Sequence, residues 1–227
     1  MIIPAIIAKD FEELKAKLAQ VEGLVSWAQI DVMDGVFVPA RRSLGAGGPA
    51  TTWREPADLE KINSAINLEA HLMVEKPENI IDGWLNSPVR RILLHYESTD
   101  AETIKKLLGK IADSGKSSGI ALKLETPLWV VDFLSETLLA TRYSLTSIQL
   151  MSISEIGYHG RPFEEKVLDR IKTLREKYPN VTISVDGGVN LENARKILSA
   201  GADNLLVGTA IFKSGNIKKT IEEFKNI

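Results

Sequence analysis

Short apolar runs rich in Ile, Val and Leu alternate with amphipathic segments along the chain. Eight runs read as strands: IIPAII, WAQIDVM, NLEAHLMV, RILLHY, GIALKL, SIQLMS, TISVDGG and NLLVGTAIF. Between them the apolar spacing changes to that of helices. Asp10 is placed to cap a helix over DFEELKAKLAQVEG, with Glu13 as the capping-box partner. Phe11, Leu14, Leu18 and Val21 share its apolar face, and Gly23 is a natural stop. Thr99 and Glu102 repeat the box ahead of Ile104, Leu107, Leu108 and Ile111. In PFEEKVLDRIKTLREKY, Phe163, Val167, Leu168, Ile171 and Leu174 form one stripe. Asn190 opens the next helix and Gly201 closes it.

Strand–helix alternation predicts a parallel sheet with right-handed crossovers. Eight such units in 227 residues predict an α/β fold of one (β/α)8 TIM barrel, a single domain over 1–227. An open, doubly wound sheet is the alternative. The one long irregular stretch, residues 40–56, follows the second strand. In a barrel it lies at the active-site face, and loops of this length are commonly lids or mobile.

Composition narrows the function class. A net charge of −2 argues against a nucleic-acid partner, which would want a basic stripe. The absence of cysteine excludes disulfides and thiolate metal sites. The N-terminal run lacks a basic region and is too short to span a bilayer. A cytoplasmic protein without a membrane partner is expected.

Within the second strand, Trp27, Gln29, Asp31 and Met33 face one way, and Ala28, Ile30 and Val32 the other. The same parity turns Glu69, His71 and Met73 inward on strand three. It does so for Leu93 and His95 on strand four, Lys123 on strand five, Gln149 and Met151 on strand six, and Ser184 and Asp186 on strand seven. Buried acids at strand ends are costly without a partner or a task. Two aspartates, two histidines and a lysine are therefore expected to converge on one cavity. Each has a structural reading too: an inward His95 can be a satisfied core histidine, Asp186 can shape a turn, and the methionines can be filler. The glycines of DGGV and VGTAIF end the last two strands, where such barrels commonly hold phosphate on backbone N–H groups.

The chain resembles the ribulose-phosphate 3-epimerase family from end to end. The resemblance rests on IIPAII with Asp10, IDVMDGVFVP, AHLMVEKPENII, ILLHYES, LMS, VDGGVN, AGAD and GTAIF in this order. It implies a (β/α)8 barrel and the interconversion of D-ribulose 5-phosphate and D-xylulose 5-phosphate at C3, an isomerase step of carbohydrate metabolism in the pentose phosphate pathway. It implies Asp31 and Asp186 as the two acid/base groups, which ligate a divalent metal (Zn, Mn, Mg or Fe) together with His71. Met33, Met73 and Met151 would cap the enediolate. His71 would also touch substrate. Phosphate would sit at Gly187, Gly188, Gly208 and Thr209 and in the strand-six loop with Gly157, His159 and Gly160. A small phosphorylated sugar is the implied partner, with no organic cofactor; a homo-oligomer is compatible with this reading and not fixed by it.

The chain departs from the family at Gln29, where a metal-binding histidine stands, at Ala5, where a substrate serine stands, and at Ala40, where an asparagine stands. The strand-six loop SEIGYHGRPF is one residue longer, with His159 in place of a central glycine. Gln29 is a poorer ligand than imidazole, so metal binding is expected to be weakened. Without metal, Lys123 or His95 would have to supply the positive charge. Two readings follow: a divergent sugar-phosphate epimerase, and a non-catalytic or regulatory sugar-phosphate-binding protein on the same barrel. A decarboxylase would need Asp-x-Lys-x-x-Asp on a strand, and QIDVMDG lacks the lysine.

Overall fold

The computed structural model describes residues 1–39, 51–139, 145–158 and 160–227. Its strands are β1 (Ile2–Ile6), β2 (Trp27–Met33), β3 (Asn67–Met73), β4 (Arg91–His95), β5 (Ser117–Leu122), β6 (Ser147–Met151), β7 (Thr182–Asp186) and β8 (Asn204–Val207). Each pairs in parallel with the next, and β8 pairs with β1 through Ile2–Leu205, Ile3–Leu206 and Pro4–Val207. That last pairing closes the barrel and excludes the open sheet.

The helices are α1 (Phe11–Val21), α2 (Ile81–Leu85), α3 (Ala101–Asp113), α4 (Trp129–Leu139), α5 (Val167–Lys177), α6 (Leu191–Ser199), α7 (Thr209–Phe212) and α8 (Ile217–Lys225). Among the described residues, the β2–β3 crossover carries a 3-10 helix over Pro56–Lys61. Outward strand residues such as Ile30, Leu72, Ile92, Ile148, Val185 and Val207 form one buried layer with Leu14, Leu108, Ile171 and Phe224 of the helices. Burying each such side chain contributes roughly 1.5–3 kcal/mol.

Several local expectations are corrected. The strand-eight run ends at Val207, and TAIF coils into α7 behind Gly208. Strand five ends at Leu122, so Lys123 lies beyond the sheet. Asp100, not Thr99, caps α3 by accepting from Thr103 N, because a carboxylate is the better acceptor. Asp10 does cap α1, but Glu13 closes on Lys9 N, one residue outside the expected box. Asn190 caps α6 with a reciprocal contact from Asn193. Most of the 40–56 stretch lies outside the described residues, as does Ala40. Its end docks on the barrel: Thr52 N donates to Met33 O at 3.1 Å, Thr52 Oγ1 donates to Asp31 O at 2.9 Å, and Trp53 is buried.

The barrel interior is layered. Ile3, Ala5 and Leu206 form an apolar cluster with Trp27 packed against it. A second cluster holds Ile7, Met33, Val38, Met73, Met151, Ile153 and Ile156. Other inward positions carry polar side chains: Gln29, Asp31, Glu69, His71, His95 and Gln149 are all buried. Buried polar groups of this kind demand partners.

Candidate active site

Pleating and register assemble the polar layer. Asp31 on β2 stands beside His71 on β3, Met33 beside Met73, and Met151 on β6 beside Asp186 on β7. His71 Nδ1 lies 3.0 Å from Asp31 Oδ1 and 3.8 Å from Asp186 Oδ2. Burial pushes the Asp186 carboxyl up to about 7, and the neighbouring charge of Asp31 adds to the effect. Burial opposes a charged His71, yet the Asp31 bond and the surrounding carboxylates outweigh it and raise its pKa.

His95 does not reach the cavity. Its Nε2 meets His71 Nε2 at 2.9 Å, and the two rings stack. Its Nδ1 lies 3.1 Å from Glu97 Oε2. Burial lowers the His95 pKa to about 4. Burial works against an ionised Glu97, but bonds from His95, Thr126 and the Lys123 N–H bring it down to about 2. His95 is thus a satisfied neutral histidine behind His71. Lys123 sits 4.1 Å from the centre of the Phe37 ring and does not line the pocket, so neither residue is the expected cavity cation.

Gln29 has a firm place of its own. Its Nε2 donates to Glu69 Oε1 at 2.9 Å and to Gln149 Oε1 at 2.7 Å. Glu69 Oε2 accepts from Arg91 Nη1 at 2.7 Å, and the Arg91 guanidinium stacks over Trp27 at 4.6 Å. Burial pushes the Glu69 carboxyl up, with Arg91 opposing it. Gln149 Nε2 in turn lies 3.2 Å from Asp186 Oδ2.

A pocket opens over this layer. Ala5, Asp31, Met73, Met151 and Asp186 line it together with Gly157, Gly160, Gly187, Gly188, Gly208 and Thr209. Met33 lies beneath it: a Cβ on Gly157, which has φ +79°, would come within 2.7 Å of the Met33 sulfur. Gly188 has φ +64°, and a Cβ there would meet Phe163 N at 2.6 Å and Arg161 O at 2.8 Å. Both positions demand glycine. His159 lies outside the described residues.

Sequence reasoning missed two contributors. Tyr158 lines the pocket and its hydroxyl donates to Pro39 O at 2.7 Å, tying the β6 loop to the β2 loop. Ser152 Oγ donates to Gly187 O at 2.6 Å and braces the turn after Asp186. Gln149 and Glu69 are visible as inward positions, but their pairing with Gln29 is not legible without the register across the barrel.

Asp31, His71 and Asp186 each offer a ligand atom, all within 4.8 Å of one another. One imidazole nitrogen and two carboxylate oxygens fit a divalent cation as a three-ligand set with open positions. Gln29 is not among these ligands: its Nε2 is committed to Glu69 and Gln149, and its Oε1 lies 3.4 Å from Gln149 Nε2.

Residues 1–212 match the model of the ribulose-phosphate 3 epimerase family. Relatives named ribulose-phosphate 3-epimerase include that of Candida glabrata, 30% identical over 99% of this chain and 91% of that protein. That of Eremothecium gossypii is 29% identical over 100% and 92%, and that of Escherichia coli 28% over 100% and 95%. Among solved structures, 3-hexulose-6-phosphate synthase from Salmonella typhimurium superposes with a TM-score of 0.68 at 16% identity, covering 99% of this chain and 96% of that one. At that identity the likeness is one of fold.

Proposed function

We propose a reaction from one premise: the chain belongs to the ribulose-phosphate 3-epimerase family. It interconverts D-ribulose 5-phosphate and D-xylulose 5-phosphate by moving a proton on and off C3. The observation that carries this reading is two carboxyls, Asp31 on β2 and Asp186 on β7, facing one pocket whose other wall is glycine loops.

Inversion beside a ketone needs one group to remove the C3 proton and a second to return one on the opposite face. With Asp186 raised to about 7, the pair can hold one shared proton near neutrality, so one member is a base while the other is an acid. Met73 and Met151 offer the flat intermediate an apolar surface that excludes water, with Met33 backing them. Phosphate rests on backbone N–H groups around Gly187, Gly188, Gly208 and Thr209, with Gly157 and Gly160 of the β6 loop beside it. The chemistry that a divalent cation (Zn²⁺, Mn²⁺, Mg²⁺ or Fe²⁺) held by Asp31, His71 and Asp186 adds is positive charge beside the enediolate oxygens.

A non-catalytic sugar-phosphate-binding role is not favoured. Both acids face the pocket, and relatives spanning the chain are named as epimerases. No helix among the described residues is long and apolar enough to cross a membrane. Small sugar phosphates are the proposed partners. The test is proton exchange. In D₂O, each pentulose phosphate should lose its C3 proton signal and convert to the other. Absence of exchange with and without added Mn²⁺ or Zn²⁺ would sink the assignment.

A further inference from the structure

The polar layer beneath the acids is anchored at one end, with one longer return contact of 3.4 Å from Gln149 Nε2 to Gln29 Oε1. Arg91 Nη1 and Gln29 Nε2 donate to the two oxygens of Glu69 at 2.7 and 2.9 Å. With the permanent guanidinium cation of Arg91 at 2.7 Å, Glu69 accepts at both oxygens, and Gln29 turns its nitrogen, and not its oxygen, towards it. That same nitrogen donates to Gln149 Oε1 at 2.7 Å. Gln149 therefore commits its carbonyl to Gln29 and turns its NH₂ to the cluster. There the nitrogen lies 3.2 Å from Asp186 Oδ2 and 3.3 Å from His71 Nδ1. Gln29, Glu69 and Gln149 are each at most 1% exposed, so water cannot substitute for any of these partners. The guanidinium-paired carboxyl at one end orients both amides.

We propose that Gln149 is a positioning residue that points a hydrogen-bond donor, not a metal ligand, into the Asp31–His71–Asp186 cluster, its orientation set by Arg91, Glu69 and Gln29. Its NH₂ group donates to Asp186 Oδ2 and crowds His71 Nδ1 without bonding to it, since that nitrogen donates to Asp31 Oδ1; it thus stands against two of the three ligand atoms that a cation would use. A cation must displace that nitrogen and gains no fourth side-chain ligand in return. Gln29 thus acts on the cluster at one remove, by fixing which end of Gln149 faces it. The effect on proton transfer rests on the epimerase reading; the effect on cation binding does not.

The test measures Mn²⁺ affinity of the full chain by calorimetry, without sugar phosphate, in wild type, Gln149→Glu and Gln149→Leu. The glutamate keeps an oxygen for Gln29 and replaces the NH₂ by a second oxygen. Gln149→Glu should bind Mn²⁺ at least tenfold more tightly, and its Co²⁺ complex should differ from wild type in visible absorption. Gln149→Leu should bind Mn²⁺ as tightly as wild type or better. It should also lower kcat for C3 exchange with KM little changed. A tenfold loss of Mn²⁺ affinity in Gln149→Leu would make the amide oxygen a ligand and overturn the proposal; so would unchanged affinity in Gln149→Glu. If no variant, wild type included, exchanges C3, the epimerase reading fails while the Mn²⁺ comparison still decides the orientation of Gln149.

Discussion

Replacing Asp186 by asparagine should make the metal-free protein more stable and catalytically dead at once. Asparagine keeps the shape and an oxygen to accept from Gln149 Nε2, now 3.2 Å from Asp186 Oδ2. What is lost is a buried carboxyl whose pKa stands near 7 because of burial and Asp31. An unfolded aspartate titrates near 3.9. Between about pH 4 and pH 7, then, the unfolded chain ionises while the folded chain keeps the proton, and wild type loses stability as pH rises. Above pH 7 the loss is complete. The full difference corresponds to about 4 kcal/mol. Taking half of that, because Asp31 and His71 rearrange when the proton leaves, about 2 kcal/mol remains, or roughly 4–8 °C in melting temperature for a chain of this size. Melting curves of chelator-treated wild type and Asp186→Asn should coincide near pH 4 and separate through pH 7, with the variant higher. In the same samples, inversion at C3 should fall by about 10²–10⁴, the usual contribution of one acid/base group. Exchange from the face served by Asp31 should persist in one epimer. A variant less stable than wild type at pH 8, or one that inverts C3 within tenfold of it, would refute the reasoning.

Gly188→Ala forces a side chain into a left-handed backbone, at about 1–2 kcal/mol, and against the backbone at Phe163 and Arg161. KM for the sugar phosphate should rise tenfold or more in steady-state assays, and inhibition by inorganic phosphate should weaken in parallel. Arg91→Met leaves Glu69 buried without its cation, and the urea midpoint should drop by the equivalent of about 3–5 kcal/mol.

The barrel was legible because outward strand positions are apolar almost without exception, and one strand's parity carries round the sheet when every neighbour is parallel. Inward placement of His71, Met73, Gln149, Met151 and Asp186 followed from Asp31 alone. The rule failed where strands end. Lys123 has inward parity but follows Leu122, the last residue of β5, and its ammonium leans on Phe37 instead. The GTAIF run looked like strand because it is apolar, whereas Gly208 breaks it into a short helix. Inward parity placed His71 and His95 correctly on the inner face, but neither lines the pocket: His71 is held between Asp31 and His95, and His95 is held by Glu97 and Phe37, which come from loops. Gln29 looked like a lost ligand because its new partners come from β3 and β6, and β6 is not its neighbour in the sheet.

The Arg91–Glu69–Gln29–Gln149 chain also constrains how such a sequence can change over generations. Losing Arg91 strands an anion, and losing Glu69 strands a cation. Losing Gln29 leaves Glu69 Oε1 and Gln149 Oε1 each short of the donor they now share. Each single step is uphill, while Glu69 and Arg91 exchanged together for apolar residues of similar volume need cost little. A lineage carrying this set is held in it by its interior. A histidine introduced at position 29 by one codon change would meet a neighbourhood already adapted to an amide, and its fate would be decided by whether positions 69, 91 and 149 had moved first.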